Sequence, residues 1–214
     1  MTFADMRRSV ASTSVAVLLI AAAGCSDAAE ETPVQEAPPR AEGVYGTAPA
    51  AAGGTPSVIT LSPASVGADV GAPTGAPSQP RMDQLGLAFT PTQLLVRAGE
   101  TVTFTNSETI AHNVHVAFSD NDSTVLHVDT DPGGGADLLM DREGGYEVTC
   151  EEHPGMRAFI YVTSAPYAVY ANANGSYRIE DVPPGSYRLS IWSVDPARRS
   201  ERTIEVTGPS TEVR

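Results

Sequence analysis

The chain is 214 residues long, 41% hydrophobic and strongly acidic, with a formal charge of −13 and 13 basic residues that are all arginine. That length admits one large domain or two small ones. The charge argues against nucleic acid and anionic lipid headgroups as partners and favours a basic docking protein.

From the N-terminus, residues 1–24 read as an export signal. Arg7 and Arg8 precede the apolar run Val15–Ala23, which is too short to span a bilayer. The run ends in Ala22-Ala23-Gly24-Cys25-Ser26-Asp27. This resembles the bacterial lipobox with Cys25 as the lipidated residue, although Ala22 stands where that motif usually has Leu. An ordinary signal peptide cleaved near Ala23 is the competing reading. Residues 25–80 then turn to Ala, Pro, Gly, Thr and Ser, a composition that buries little apolar surface and predicts a flexible tether. Strand-like islands interrupt it at 43–46 and 57–62. Two pairings are open to Val58–Leu61: with the C-terminal module, making the central domain an insertion, or with the strand around Val102–Phe104.

Residues 81–164 carry period-2 patterning throughout. Leu94 and Val96, then Val102 and Phe104, alternate with polar neighbours on either side of Gly99-Glu100, which predicts a β-hairpin with one buried face. Val114 and Val116 share the face of His112, whereas Asn113 and His115 point the other way, so His115 and His127 are expected at the surface or rim. Met82 and Met140 are expected to fill core. Tyr146, Val148 and Cys150 alternate with Glu147 and Thr149, making Cys150 the last inward residue of a strand. His153 and Met156 follow on a tight loop broken by Pro154 and Gly155, and Met156, Ala158, Ile160 and Val162 open another core strand.

The cysteines are Cys25 and Cys150, and the two jobs assigned to them leave no intramolecular disulfide. Cys150, His153 and Met156 stand at spacing C-x2-H-x2-M. A soft thiolate, a borderline imidazole and a soft thioether on one short loop suit copper, which must be held in both of its oxidation states. His112 is the candidate for the distant fourth donor. Two His, one Cys and a weak axial Met make a blue-copper electron-transfer site of type 1.

These residues, with Leu87-Ala88-Phe89-Thr90-Pro91, Val96–Asn106 and His112-Asn113-Val114, make residues 82–163 similar to the cupredoxins, the small β-sandwich copper proteins that include plastocyanin and amicyanin. The short gap between His153 and Met156 is amicyanin-like. Ala111 departs from the family, which usually has Pro before the first His ligand. The resemblance implies a Greek-key β-sandwich, an exposed imidazole edge at His153 as the electron port, and hydrogen bonds from Asn113 that tie the ligand-bearing segments together. Residues 165–214 resemble a second family. Asn174-Gly175-Ser176-Tyr177-Arg178-Ile179 and Val182-Pro183-Pro184-Gly185-Ser186-Tyr187-Arg188-Leu189 follow the pattern of carboxypeptidase-regulatory-like modules, small transthyretin-like β-sandwiches. About three strands are clear there, which is few for a self-sufficient sandwich.

The expectation is therefore an all-β protein: a copper sandwich plus a second small sandwich-like module. Its function is one-electron transfer, without enzymatic activity, between a redox donor and acceptor at a bacterial membrane or periplasmic surface. The alternative is a copper-binding surface protein for metal acquisition, delivery or attachment. Cys25→Ser is expected to move the mature protein from the membrane to the soluble fraction on cell fractionation; unchanged membrane association would overturn the lipid anchor.

Overall fold

Alternating apolar and polar residues dictate strands along most of the chain, and the computed structural model, which describes residues 42–65 and 79–214, is built almost wholly of them. The expected signal, Cys25, and the tether at 25–41 and 66–78 lie outside the described residues. Among the described residues no helix is long and apolar enough to cross a membrane.

Two sheets enclose the core of residues 81–163. One has the order β5 (Gln93–Arg97), β11 (Arg157–Thr163), β10 (Gly144–Thr149), β7 (His112–Phe118) and β8 (Ser123–Thr130). The other has the order β4 (Phe89–Thr90), β3 (Arg81–Gln84), β6 (Glu100–Asn106) and β9 (Gly135–Met140). Met82, Phe89, Val102, Phe104 and Met140 from the second sheet meet Val96, Val114, Val116, Val148, Ile160 and Val162 from the first in one continuous buried cluster. Met82 and Met140 are thus core residues.

The expected hairpin at Gly99-Glu100 does not form. β5 pairs with β11 in parallel, whereas β6 pairs with β3 and β9, so the turn carries the chain from one sheet to the other. Strands flanking a turn look alike in sequence whether they pair or face each other. Here both buried faces are satisfied across the sandwich, and Gly99 at φ 93° makes the corner that the crossing requires.

A second pair of sheets stands beside the first. β12 (Tyr167–Tyr170), β2 (Val58–Pro63), β14 (Gly185–Trp192) and β15 (Ser200–Val206) form one in that order. β13 (Ser176–Ile179), β1 (Gly43–Thr47) and β16 (Ser210–Val213) form the other. Ile59 and Leu61 pair with Ile191 and Leu189 on one side and with Val169 and Tyr167 on the other. Val44, Tyr177, Ile179 and Val213 meet Ile59, Leu61, Leu189 and Ile191 in a core of their own. Segments on both sides of 81–163 therefore build one module. β12 and β16 exceed the three strands expected from 165–214, and residues 42–63 are structure rather than tether. Of the two pairings open to Val58–Leu61, the structure has the one with the C-terminal module, which makes 81–163 an insertion.

Trp192 joins the modules. Its ring lies 5.1 Å from Tyr161 and 6.4 Å from Phe159, centroid to centroid, and covers Gly145, where an added Cβ would sit 2.5 Å from the indole. Arg199 reaches Asp120 at 2.5 Å across the same junction. Ile59→Ala is expected to cost about 2–5 kcal/mol, as for a large-to-small change in a closed core, read by denaturant unfolding. Gly145→Ala should destabilise by about 1–3 kcal/mol through overpacking against Trp192; an unaffected midpoint in either variant would contradict this packing.

Candidate metal centre

The donor set is assembled at one end of the central sandwich from two strand ends. β10 delivers Cys150, buried and 4% exposed, immediately past Thr149. β7 begins at His112, 1% exposed, and register places both strands side by side, with Thr149 opposite His115 and Val148 opposite Val116. The turn after Cys150 closes on itself: Met156 N–H donates to the His153 carbonyl at 3.1 Å, and Cys150 N–H donates to the Met156 carbonyl at 3.3 Å. Gly155 takes φ 105° with open space around it, so backbone conformation rather than crowding calls for glycine there. The turn returns His153, which is half-buried, to the side of His112, their ring centroids 4.5 Å apart.

His112 Nδ1 and His153 Nδ1 each lie 3.7 Å from Cys150 Sγ, and the three donor atoms fall within 4.8 Å of one another. A trigonal ion with bonds of about 2.0 Å to imidazole nitrogen and about 2.3 Å to thiolate sulfur separates N from S by about 3.7 Å. The set therefore fits a metal bound between the three atoms. Met156 is 2% exposed and packs in the same buried cluster as Cys150.

Buried polar side chains hold the His112 segment. Gln84, fully buried on β3, donates from Nε2 to the Asn113 carbonyl at 2.9 Å and accepts from Thr130 Oγ1 at 2.7 Å. Asn106, at the end of β6, donates to the carbonyls of Ile110 at 2.9 Å and Thr130 at 2.8 Å, and accepts from the Glu108 N–H at 2.9 Å. Glu108 in turn sets its carboxylate 3.6 Å from His112 Nε2, the imidazole edge turned away from Cys150. Asn113 accepts the Glu151 N–H at 2.8 Å, tying β7 to the residue after Cys150. Gln84, Asn106, Glu108 and Thr130 escaped the sequence reading. Asn106 carries a weak signal as a buried-strand Asn just before a ligand loop, and Gln84 carries none.

His112, Cys150 and His153 thus converge, and Met156 is buried in the core cluster that includes Cys150. His115 faces away from the cluster and His127 lies on the outer surface, half exposed.

The description "copper binding proteins, plastocyanin/azurin family" matches residues 78–163, and "polysaccharide lyase family 4, domain II" matches residues 155–213. No curated protein sequence matches the chain. Among solved structures, a purple cupredoxin from Nitrosopumilus maritimus is 20% identical, covering 39% of this chain and 99% of its own, with a TM-score of 0.36. A reduced Cu(I) amicyanin variant is 26% identical over 42% of this chain and 87% of its own, at 0.37. A copper-containing nitrite reductase from Thermus scotoductus is 23% identical over 44% of this chain and 24% of its own, at 0.38. The copper-protein match spans the sandwich that holds the donor set, and copper is the metal for which a thiolate and two imidazoles are suited.

Asn113→Ala is expected to leave the Glu151 N–H without its acceptor and to cost about 1–3 kcal/mol, measured by denaturation of the metal-free protein. A change below about 0.5 kcal/mol would remove Asn113 from the frame of the site.

Proposed function

We propose that the cupredoxin domain at residues 78–163 serves as a one-electron carrier, exported and held at a membrane surface through lipid on Cys25. The observation that carries this is the convergence of His112 Nδ1 and His153 Nδ1 on Cys150 Sγ, both at 3.7 Å. Copper supplies the chemistry, gaining and losing one electron. Cys150, as thiolate, is the donor with the strongest electronic coupling. His112 and His153 would add imidazole donors, and Met156 would be the weak thioether donor that helps set the potential. With Met156 as a fourth donor the site would hold no open position for a substrate, which would separate a carrier from a catalytic metal centre. The bonds from Gln84, Asn106 and Asn113 fix the segment around His112 before any metal arrives, so the donors have little to rearrange between oxidation states.

Electrons would leave where the site nears solvent. Cys150 and His112 are buried, whereas His153 is partly exposed. Leu87, bonded through its N–H to Glu108, and Ile110, two residues before His112, expose apolar side chains close by, 54% and 43% exposed. An apolar rim beside a partly exposed ligand suits transient docking of a redox partner, and the net charge of −13 would steer a basic one. The alternative role in copper delivery shares this site and differs in needing to release the ion to an acceptor.

For the module of β1, β2 and β12–β16 we propose a scaffolding or attachment role. Its sequence pattern resembles carboxypeptidase-regulatory-like modules while its family match is to domain II of a polysaccharide lyase family. Neither likeness assigns it a reaction.

Adding Cu(II) to the purified protein is expected to give an intense visible thiolate-to-copper band that is absent in Cys150→Ser. A variant that stayed blue would overturn the site. Met156→Gln should retain copper and lower the reduction potential measured by voltammetry, whereas His112→Ala should damage the site and His115→Ala leave the spectrum nearly unchanged. Reversal of the two histidine effects would refute the assignment.

A further inference from the structure

The junction of the two modules leaves a cavity of about 400 Å³. Asp120, Gly145 and Tyr161 of the copper sandwich form one side, and Trp192, Arg199 and Glu201 of the other module form the second. Gly145 stands near the start of β10, whereas Cys150 follows its last residue, so the cavity lies at the end of that strand remote from the copper site. Small-molecule sites of about 300–1,000 Å³ occur preferentially at such domain interfaces.

The lining carries more hydrogen-bonding groups than the fold uses. Arg199 donates from Nε to the Ser193 carbonyl at 2.8 Å and from Nη1 to Asp120 at 2.5 Å; among the described residues nothing takes up Nη2. The Tyr161 hydroxyl also has no hydrogen-bond partner among them, and burial, followed by the nearby Glu143 carboxylate, pushes its pKa up and keeps it a donor. Trp192 is 6% exposed, yet its Nε1 is buried without a partner. That nitrogen lies beside Gly145, where an added Cβ would sit 2.6 Å from it. An indole N–H can only donate, and a buried donor left unpaired is costly.

Charge narrows what fits. Asp120 is matched by Arg199, while Glu201 accepts from Ser190 Oγ at 2.9 Å and has Arg188 Nε at 3.8 Å. Two carboxylates and two guanidiniums cancel, so the cavity favours neither an anion nor an amine. The carboxylates keep spare acceptor capacity beside the free donors, next to an aromatic wall in which the Trp192 and Tyr161 rings stand 5.1 Å apart. Mixed donors and acceptors around an apolar wall match a sugar, whose hydroxyls each donate and accept and whose ring presents an apolar face.

We propose that this cavity is a binding site for a neutral saccharide. Arg199 Nη2 and the Tyr161 hydroxyl donate to the sugar, Asp120 and Glu201 accept from it, and an acceptor oxygen seated beside Gly145 satisfies Trp192 Nε1. The site is independent of electron transfer at the copper centre and of where the protein is held.

Trp192 is the only tryptophan of the chain, so its emission reports on this cavity. The test titrates cellobiose, maltose and lactose into the full-length protein while tryptophan emission is followed. At least one of them should change the emission saturably. Tyr161→Phe, which keeps the ring against Trp192, and Glu201→Gln should each raise the Kd about fivefold, as for the loss of one hydrogen bond. Absence of a saturable response to all three sugars would overturn the proposal, as would equal affinity in the wild type and both variants. Tighter binding of galacturonate than of the neutral sugars would also overturn it, by showing a carboxylate site.

Discussion

The central domain depends on a buried polar bridge between its two sheets. Gln84 and Asn106 belong to the sheet of β3 and β6, while the groups they bind, at Asn113, Thr130 and Ile110, belong to or lead into the sheet of β7 and β8. Elsewhere the sheets meet through apolar side chains, which attract without direction. At this end hydrogen bonds of fixed geometry take over. An amide such as Gln84, fully enclosed, is costly unless its oxygen and nitrogen find partners, and this requirement selects one relative placement of the sheets. His112 inherits its position from that placement.

The thiol side of the site is positioned by different means. Cys150 continues the inward row of Tyr146 and Val148, so the apolar core itself aims Sγ. The turn to Met156 is closed by backbone hydrogen bonds and by the backbone freedom of Gly155. Asn113 then links the two halves by accepting the Glu151 N–H. Sheet register, a closed turn and a side-chain clamp thus converge on one small volume. A rigid donor set assembled in this way suits a metal whose two oxidation states would otherwise favour different geometries.

The second module shows how a marginal unit is completed from distant sequence. Five strands from 165–214 leave gaps that β1 and β2 fill: β2 lies between β12 and β14, and β1 between β13 and β16. Without them each sheet would be split, with edges exposed. The arrangement brings the ends of the intervening copper domain close to one module, and Trp192 seals the junction against Gly145 and Tyr161. β10, which carries Gly145, is also the strand that leads into Cys150, so the module braces the sheet that positions the thiol.

The sequence by itself determined most of the strands and the candidate donors. Alternation gave the inward faces of β7, β10 and β11, and the C-x2-H-x2-M spacing named three candidate donors, of which Cys150 and His153 meet His112 in the structure. Local patterns suffice where the relevant neighbours are local. Which strands pair was decided only by tertiary structure: the segments around Gly99 face each other across the core instead of pairing, because alternation marks a buried face without saying what covers it. The same limit left two partners open for Val58–Leu61, and it hid the clamp of Gln84, Asn106 and Thr130. A buried amide is recognised by the acceptors and donors around it, and those arrive from other strands only when the sheets close.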